Sequence, residues 1–466
     1  MTDGAPKIEA LPQAGGEEGL YGLTSALVRA VRAALHRADA GELRELIAPL
    51  HDADIADLIE RLRGDDREQF IDLAGDAVSG EVLAFIEDDV REAIINQLDT
   101  SKVAEAISDL DTDDVVAVLE DLDPPQQREI LEALPDQADR AGVQESLSYP
   151  ENSAGRLMQR EFISLPAFWT VGQTIDFMRE DEDLPDDFYE IFVVNPRQEP
   201  IGTVRLNRLL RSSRPIRLRD IMEQELHIIP ADTDQEDVGF VFDQYDLISA
   251  PVVGVSGRLI GVITVDDVLD VVQEEAEEDI FRLSGVQEAD IYRAALQTAG
   301  GRFILLLVNL ATAILASFVI YQFSGTIDQM VALAVLMPIV ASMGGNAGTQ
   351  TLTVAVRAIA TKDLSLANAH RVFGKETIVG LLNGIVFAVL TGGVAAAWYE
   401  DTALGYVVGG AMIINMLVAG MFGLIIPVVL WRLRIDPATA AGVLLTTVTD
   451  VIGFLAFLGL AGMFLL

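Results

Sequence analysis

The chain has 466 residues, more than one typical domain, so we expect two or more domains. It carries 32 Lys and Arg residues against 72 Asp and Glu residues, a formal net charge of −40, and no cysteine. This composition excludes disulfides, thiolate metal sites and cysteine nucleophiles, and an acidic surface of this kind repels nucleic acid and attracts cations. From Arg302 onward seven basic residues balance seven acidic ones, so the excess of 65 acidic over 25 basic residues lies in the first 301 positions.

The N-terminal part is predicted to be helical and repetitive. Residues 1–20 lack the basic and apolar regions of a signal peptide and are expected to be a disordered lead-in. In residues 21–145 the pattern Asp99–Leu110 recurs as Asp111–Leu122, and a related pattern stands at His51–Leu62. We expect stacked short helices with N-caps of Asp or Thr, their apolar faces buried and their acids outward.

Residues 146–272 change to strands alternating with helices, again with an internal repeat. The stretch Glu199–Leu206 matches Gly257–Val265, which places Gly202 and Gly261 at the same position of two copies. Each copy has a strand, a short polar cap and an apolar helix. This pattern resembles a tandem of cystathionine-β-synthase (CBS) domains.

A nucleotide site is implied by that resemblance for the second copy alone. In CBS pairs that bind nucleotides, a Thr or Ser and an Asp three residues later hold ribose and phosphate. Thr264 and Asp267 fit this spacing, whereas Arg205 and Arg208 occupy the corresponding places of the first copy. The resemblance implies ATP at the CBS pair; the alternative is that Asp267 only caps the helix that follows.

An acidic connecting helix is predicted next, over residues 273–300, continuing the helix of the second copy. Two carboxylates about 4 Å apart repel by about 1 kcal/mol in bulk water and by about 4 kcal/mol near a protein surface. A divalent cation that bridged them to acids of another domain would reverse this sign, so the helix is either a metal-sensitive linkage or a solvated acidic linker. The helix that runs from the second copy into this segment carries on one face Asp267, Asp270, Glu274 and Glu278, with Glu275 and Asp279 beside them.

Residues 301–466 are predicted to form a membrane domain of five helices. Each apolar segment is long enough to cross about 30 Å of hydrocarbon. Lys and Arg cluster between segments two and three and between segments four and five, so the positive-inside rule places the N-terminal part in the cytoplasm and the C-terminus outside. The segments are 303–323, 330–356, 373–398, 404–431 and 438–465.

Segment two contains an unusual stretch of glycine and polar residues, Met343–Gln350. Such residues at membrane depth line a water-filled path or are buried in protein, and Asn346 is the candidate pore ligand. Gly344 and Gly348 also have the spacing of close helix packing, so both readings stand.

Asp450 is the only ionisable residue between Ala438 and Leu466. A carboxylate inside a bilayer is costly unless water, a cation or a partner compensates it. Thr446 lies four residues earlier on the same helix face, and Gly453 lets a neighbouring helix approach. A cation path is the favoured interpretation; a protonated acid bonded to a neighbouring helix is the alternative.

The order of these parts resembles the MgtE family of magnesium channels and transporters, over residues 21–466. The resemblance implies a homodimer in the plasma membrane, with one pore on the two-fold axis lined by segments two and five. Hydrated Mg²⁺ would bind there at Asp450, with Thr446 and Asn346 nearby. The motifs that carry the resemblance are Tyr149–Met158, Val262–Asp279, Gly344–Gln350 and Thr449–Val451.

The resemblance also implies regulatory Mg²⁺ sites in the cytoplasmic part. High cytoplasmic Mg²⁺ would bridge the domains and close the pore. Where a second acid often follows Asp113 in the family, this chain has Ala117. The residues implied are Asp113, Glu236, Asp246, Asp267, Asp270, Glu275, Glu278 and Asp279.

The predicted function is therefore Mg²⁺-selective uptake gated by cytoplasmic Mg²⁺, and the sequence does not define the discrimination among divalent cations. One alternative is a Na⁺- or H⁺-coupled divalent cation transporter, and another is a nucleotide-sensing regulator anchored in the membrane. Enzyme activity is not expected, because no nucleophile–base set, phosphate loop or cofactor fingerprint is present.

Overall fold

The structure is a computed structural model that describes residues 23–181, 184–185, 188–284, 295–365 and 367–465. The predicted lead-in, residues 1–20, lies outside the described residues. The chain divides into two compact units between Gln273 and Glu274, and each is described by itself.

The first unit begins with the predicted array of short helices. Their inward faces share one apolar core, in which Leu35, Leu58 and Phe70 are fully buried. The helices are α1 Ser25–His36, α2 Ala40–Ile47, α3 Asp52–Arg61, α4 Asp65–Ala74, α5 Gly80–Phe85, α6 Asp88–Ile95, α7 Thr100–Ala106, α8 Thr112–Leu119, α9 Pro124–Ala133 and α10 Gln137–Ser146.

The predicted caps are present in position but differ in chemistry. The side chains of Thr24, Asp39 and Asp136 each accept a bond from a first-turn N–H. His51 does the same at the start of α3, so the repeat at His51–Leu62 begins with an imidazole cap. Asp99 stands at the N-cap of α7 but makes no side-chain cap bond. The repeat pattern therefore predicted where the helices start, but it did not predict which side chains make the capping hydrogen bonds.

Two three-stranded sheets follow, and they confirm the tandem repeat. In each sheet the first pair of strands is parallel and the second pair is antiparallel, in the orders β1-β2-β3 and β4-β5-β6. The register shifts at Val193/Val194 in one sheet and at Val252/Val253 in the other. The strands are β1 Ser164–Pro166, β2 Glu190–Val194, β3 Pro200–Arg205, β4 Ile229–Pro230, β5 Ser249–Val253 and β6 Leu259–Thr264.

The helices of this part flank the sheets, and the last one leaves the second copy without a break. Helix α16 runs from Val265 to Ser284, so the predicted boundary at 272/273 lies inside one helix. The helices are α11 Ala154–Leu157, α12 Val171–Glu180, α13 Leu206–Leu210, α14 Leu218–Ile221, α15 Gln235–Tyr245 and α16 Val265–Ser284.

Each sheet is closed by a segment that carries a methionine. The segment before the first copy closes the second sheet, and the segment before the second copy closes the first sheet. Thr203 of β3 bonds in both directions with Glu223, which follows the first sheet in sequence. Val262 of β6 bonds in both directions with Gln159, which precedes the first sheet. The second copy is therefore completed by chain that lies before the first copy.

The second unit contains long apolar helices. Five described helices are long and apolar enough to cross a membrane, the first of them over Arg302–Gln322, which confirms the five predicted segments. The five long helices are α17 Ala295–Gln322, α19 Ala332–Ala360, α20 Ala369–Tyr399, α21 Thr402–Arg432 and α22 Pro437–Phe464, and the short helix α18 Ser324–Gln329 lies between the first two.

The repeated glycine of the second copy is a position where size is restricted. A Cβ on Gly261 would lie 2.6 Å from Met158 Sδ and 2.9 Å from Gln159 O, both in the closing segment. We expect Gly261→Ala to lower the free energy of unfolding of the first unit by about 1–3 kcal/mol through overpacking. Chemical denaturation followed by circular dichroism measures this.

Gly254→Ala is the matched control, because the nearest atom to its added Cβ would be 3.6 Å away, an ordinary contact. Equal stability of the two variants would contradict the closing role given to Met158 and Gln159.

Candidate functional site

The candidate pore residue Asp450 lies on α22, which begins at Pro437 and is capped by Asp436. Asp450 is partly buried, and among the described residues no hydrogen bond or ion pair to it is found. Thr446, one turn earlier, is exposed, and its hydroxyl donates to Gly442 O at 2.9 Å. The carboxylate therefore stands in an apolar helix without a counter-charge from the described part of its own chain.

Helix α19 separates the two readings of its glycine-rich stretch. Gly344 and Gly348 are buried in helix contacts, and a Cβ on Gly348 would come within about 3.1 Å of Leu445 on α22. Asn346 and Gln350 are exposed on another side of α19. The glycines therefore serve packing, and the polar side chains remain available to a path outside the single bundle.

Asn415 of α21 joins the helices that carry the candidate pore residues. It is fully buried, and its Nδ2 donates to Val340 O of α19 at 2.8 Å. Its Oδ1 is buried and has no hydrogen-bond partner among the described residues. Such an orphaned acceptor costs about 1–3 kcal/mol. The donor half of the Asn415 amide therefore makes a helix–helix bond, and the acceptor half makes none with the described residues.

Glu376 is a second acid in the apolar helices that the sequence reasoning missed. It lies on α20, is only 8% exposed, and accepts a bond from the Thr351 hydroxyl of α19 at 3.3 Å. Lys375 approaches its other oxygen at 3.7 Å from an exposed position. The signal was present, since Glu376 falls inside the predicted segment 373–398, but neighbouring basic residues made it resemble part of a loop.

In the first unit, three predicted or neighbouring acids form a repulsive group. Burial raises the pKa of Asp113 well above its usual value, and the nearby charge of Asp267 raises it further. Burial, with the same Asp267 charge, raises the pKa of Asp114 to about 7. Burial also raises the pKa of Asp267 to about 6, against hydrogen bonds from Thr264. Desolvated acids of one sign are what a divalent cation would stabilise.

Helix α8, which carries Asp113 and Asp114, is held at its first turn by Glu161. The Thr112 hydroxyl donates to Glu161 Oε1 at 2.7 Å, and the Thr112 N–H donates to Oε2 at 3.2 Å. Because Glu161 belongs to the chain that leads into β1, the start of α8 is fixed against the CBS pair. The acids are thereby brought near Asp267 despite their repulsion.

The second half of α16 contacts the membrane helices of its own unit through Arg282. Its guanidinium pairs with Glu278 on the same helix and with Asp436 Oδ2 at 3.1 Å. Burial raises the pKa of Glu278, and burial with the Asp436 charge raises that of Asp279. Asp436 and Arg282 were not predicted, since sequence gives no sign that these positions meet.

The remaining regulatory candidates lie on α15 and α16. Glu236 is in the first turn of α15, and Asp246 is the left-handed residue that ends it. Asp270 and Glu275 lie along α16, where burial raises the pKa of Asp270. Within the described ranges, no three acidic or histidine side chains converge as a metal site. The regulatory ligand set stays a prediction.

The nucleotide candidates Thr264 and Asp267 bond to each other. The Thr264 hydroxyl donates to Asp267 Oδ2 at 2.7 Å, and its N–H donates to the same oxygen at 3.4 Å. Asp267 thus caps the start of α16, which is the alternative stated for it. Its use by a nucleotide stays a prediction.

Comparison with known families decides the class of the protein. A family model described as a divalent cation transporter matches residues 337–460, and models of the MgtE intracellular N domain and the CBS domain match 50–152 and 218–274. The magnesium transporter MgtE of Thermus thermophilus is 32% identical over 446 residues, covering 94% of this chain and 98% of that protein. The chain belongs to the MgtE family.

Two further proteins are similar to this chain. The magnesium transporter MgtE of Bacillus subtilis is 28% identical, covering 91% of this chain and 94% of that protein. A structure of the cytosolic domain of the Mg²⁺ channel MgtE in complex with ATP is 30% identical, with a TM-score of 0.47, covering 52% of this chain and 99% of that one.

The transporter match spans Asn346, Thr446 and Asp450, and the N-domain match includes Asp113. This MgtE-family chain is a multi-pass membrane protein with cytosolic N-terminal domains. Its family consists of transporters, in agreement with the prediction of a transport protein and not an enzyme.

The raised pKa values of Asp114 and Asp267, about 7 and about 6, predict the pH dependence of this MgtE-family chain. Unfolded Asp titrates near 3.9, so the folded state binds more protons between about pH 4 and about pH 7. The stability from these groups is complete below the unfolded pKa and is lost as pH rises through 6 to 7.

Without Mg²⁺, we therefore expect the unfolding temperature of the first unit to fall by several degrees from about pH 5.5 to about pH 7.5. Thermal unfolding followed by circular dichroism measures it, and Asp114→Asn should flatten the dependence. The exposed Asp109→Asn should leave it as in wild type. A pH dependence unaltered by Asp114→Asn would contradict the assignment.

Proposed function

We propose that this protein is a Mg²⁺-selective channel or transporter for magnesium uptake, closed by Mg²⁺ binding to its cytosolic domains. The observation that carries the proposal is Asp450, a carboxylate of an apolar helix to which the described chain supplies no partner. Intramembrane acids of this kind mark ion pathways. The relatives named as magnesium transporters suggest which ion.

The chemistry of the candidate pore suits a hydrated ion. Mg²⁺ gives up its water reluctantly and is usually held by one or two carboxylates with several waters retained. In a homodimer, one Asp450 from each copy would supply two carboxylates. Thr446 and Asn346, both exposed in the single chain, would then contact the retained waters.

The orientation follows from the loops. Lys and Arg cluster after α19 and after α21, so we place both connections and the N-terminal domains on the cytoplasmic side of the plasma membrane and the C-terminus outside. Trp398 and Tyr399 end α20 with stacked rings, as expected of a helix end at a membrane interface.

Gating is proposed to depend on the acids of the cytosolic domains. Asp113, Asp114 and Asp267 are desolvated and repel one another, so a bound Mg²⁺ would stabilise the arrangement in which they lie together. When cytosolic Mg²⁺ falls, the same repulsion would favour separation of α8 from α16. The ion shifts the balance only through its different affinity for the two states.

Coupled transport is the second candidate function. Coupling to H⁺ or Na⁺ requires an ionisable group besides the one that binds the divalent ion, and the buried Glu376 is such a group. In this alternative, Mg²⁺ flux would depend on a proton or sodium gradient. A nucleotide-sensing anchor without transport would leave Asp450 without a use.

The pore assignment is tested by Mg²⁺ flux in proteoliposomes driven only by a Mg²⁺ gradient and a membrane potential. We expect Asp450→Asn and Asp450→Ala to reduce flux by at least about tenfold, because loss of a charged contact of about 1.5–3 kcal/mol corresponds to roughly this factor. Asp401→Asn, at the cap of α21, is the control. Unchanged Mg²⁺ flux in both Asp450 variants would remove the pore assignment, and flux that needs a Na⁺ or H⁺ gradient would favour the coupled transporter.

The gating assignment is tested on the cytosolic side of the same vesicles. We expect Asp113→Asn combined with Asp267→Asn to raise the Mg²⁺ concentration that half-inhibits flux by about tenfold, since two charged ligands are lost. Maximal flux at low cytosolic Mg²⁺ should stay unchanged. An unaltered inhibition curve would show that these acids do not sense the ion.

A further inference from the structure

The amide of Asn415 lies between two helices that carry the candidate pore residues. A Cβ on Gly344 of α19 would be 2.1 Å from Asn415 Nδ2, and a Cβ on Gly453 of α22 would be 2.8 Å from the same atom. Each helix therefore presents a bare backbone to the same buried side chain. The amide touches both helices and is fixed on α19 by its bond to Val340 O at 2.8 Å.

Both glycines stand close in sequence to the residues of the proposed ion path. Gly344 is two residues before Asn346, and Gly453 is three residues after Asp450. In a rigid helix, whatever fixes the backbone at Gly453 also fixes the height and rotation of Asp450. The Asn415 amide thus sets where α22 holds its carboxylate relative to α19.

Packing alone does not account for an amide here. Oδ1 of Asn415 is buried without a partner among the described residues, a cost that a leucine, with the same branched shape and no polar atom, would avoid. Nδ2 supplies what leucine lacks, a directional bond to a carbonyl of α19. The polar group therefore fixes the position of the amide on α19, although its unbonded oxygen lowers the stability of the bundle.

We propose that Asn415 is a positioning residue for cation permeation. It bonds to α19 and packs against α22 at Gly453, and it thereby fixes the position of Asp450. This inference rests on the proposed function of Asp450 as the pore carboxylate. Asn415 does not itself contact the ion; its effect passes through the two glycines.

The test compares Asn415→Leu with wild type in proteoliposomes, by the half-saturating Mg²⁺ concentration, the Mg²⁺-to-Ca²⁺ flux ratio and the unfolding temperature. Expected are an unfolding temperature equal to or above wild type, a half-saturating concentration raised on the order of tenfold, and a reduced flux ratio. Asn383→Leu is the matched control, since Asn383 is an exposed asparagine of α20. It should leave all three unchanged.

Gly453→Ala provides the second variant, because it keeps Asn415 but displaces the amide. It should show the same loss of apparent affinity and selectivity. Gly459→Ala on the same helix is its control, since a Cβ there would meet no atom within 4 Å. This pair decides the question even when Asn415→Leu fails to fold.

The outcomes separate this inference from the proposed function. Wild-type flux that vanishes in Asp450→Asn supports the pore assignment. If the pore is supported in this way and the single variants Asn415→Leu and Gly453→Ala keep the wild-type half-saturation and selectivity, only the role of Asn415 is overturned. A lowered unfolding temperature with unaltered half-saturation and selectivity marks a purely structural amide and also overturns it. Wild-type flux that does not depend on Asp450 overturns both proposals.

Discussion

A polar group inside a bundle of apolar helices must find its partner within the bundle, because hydrocarbon supplies none. The structure satisfies this constraint to three different degrees. Glu376 accepts from Thr351, Asn415 uses its donor and leaves its acceptor unbonded, and Asp450 has no bond from the described chain. The degree of internal satisfaction separates groups that hold the bundle from the group that remains available to a cation.

In the cytosolic part, by contrast with the apolar bundle, many charges of one sign lie close together. Glu161 holds the start of α8, so Asp113 and Asp114 remain near Asp267 although their raised pKa values show the penalty. A region built in this way is sensitive to any species that neutralises it. The excess of acids in the first 301 residues concentrates like charges in this part of the chain, and bound cations would neutralise them.

Sequence patterns predicted the elements well because the forces behind them are local. Apolar length marked the five long helices, and the repeated glycines Gly202 and Gly261 marked the two sheets. The partners of single side chains were not predictable, since Asn415 meets Val340 and Arg282 meets Asp436 only through the packing of distant segments. The Mg²⁺ ligands implied by the family resemblance could be named from sequence motifs, but the described residues do not bring three of them together as a metal site.

The closing segments of the two sheets have a consequence for biosynthesis. Gln159 leaves the ribosome about a hundred residues before Val262, to which it bonds, so the second sheet cannot be completed when its own strands are made unless the early segment has stayed free. Closure over so long a separation in sequence is expected to slow folding relative to two independent modules. Neither copy could be excised or transplanted alone, because each cut would remove the methionine that covers a glycine of the other.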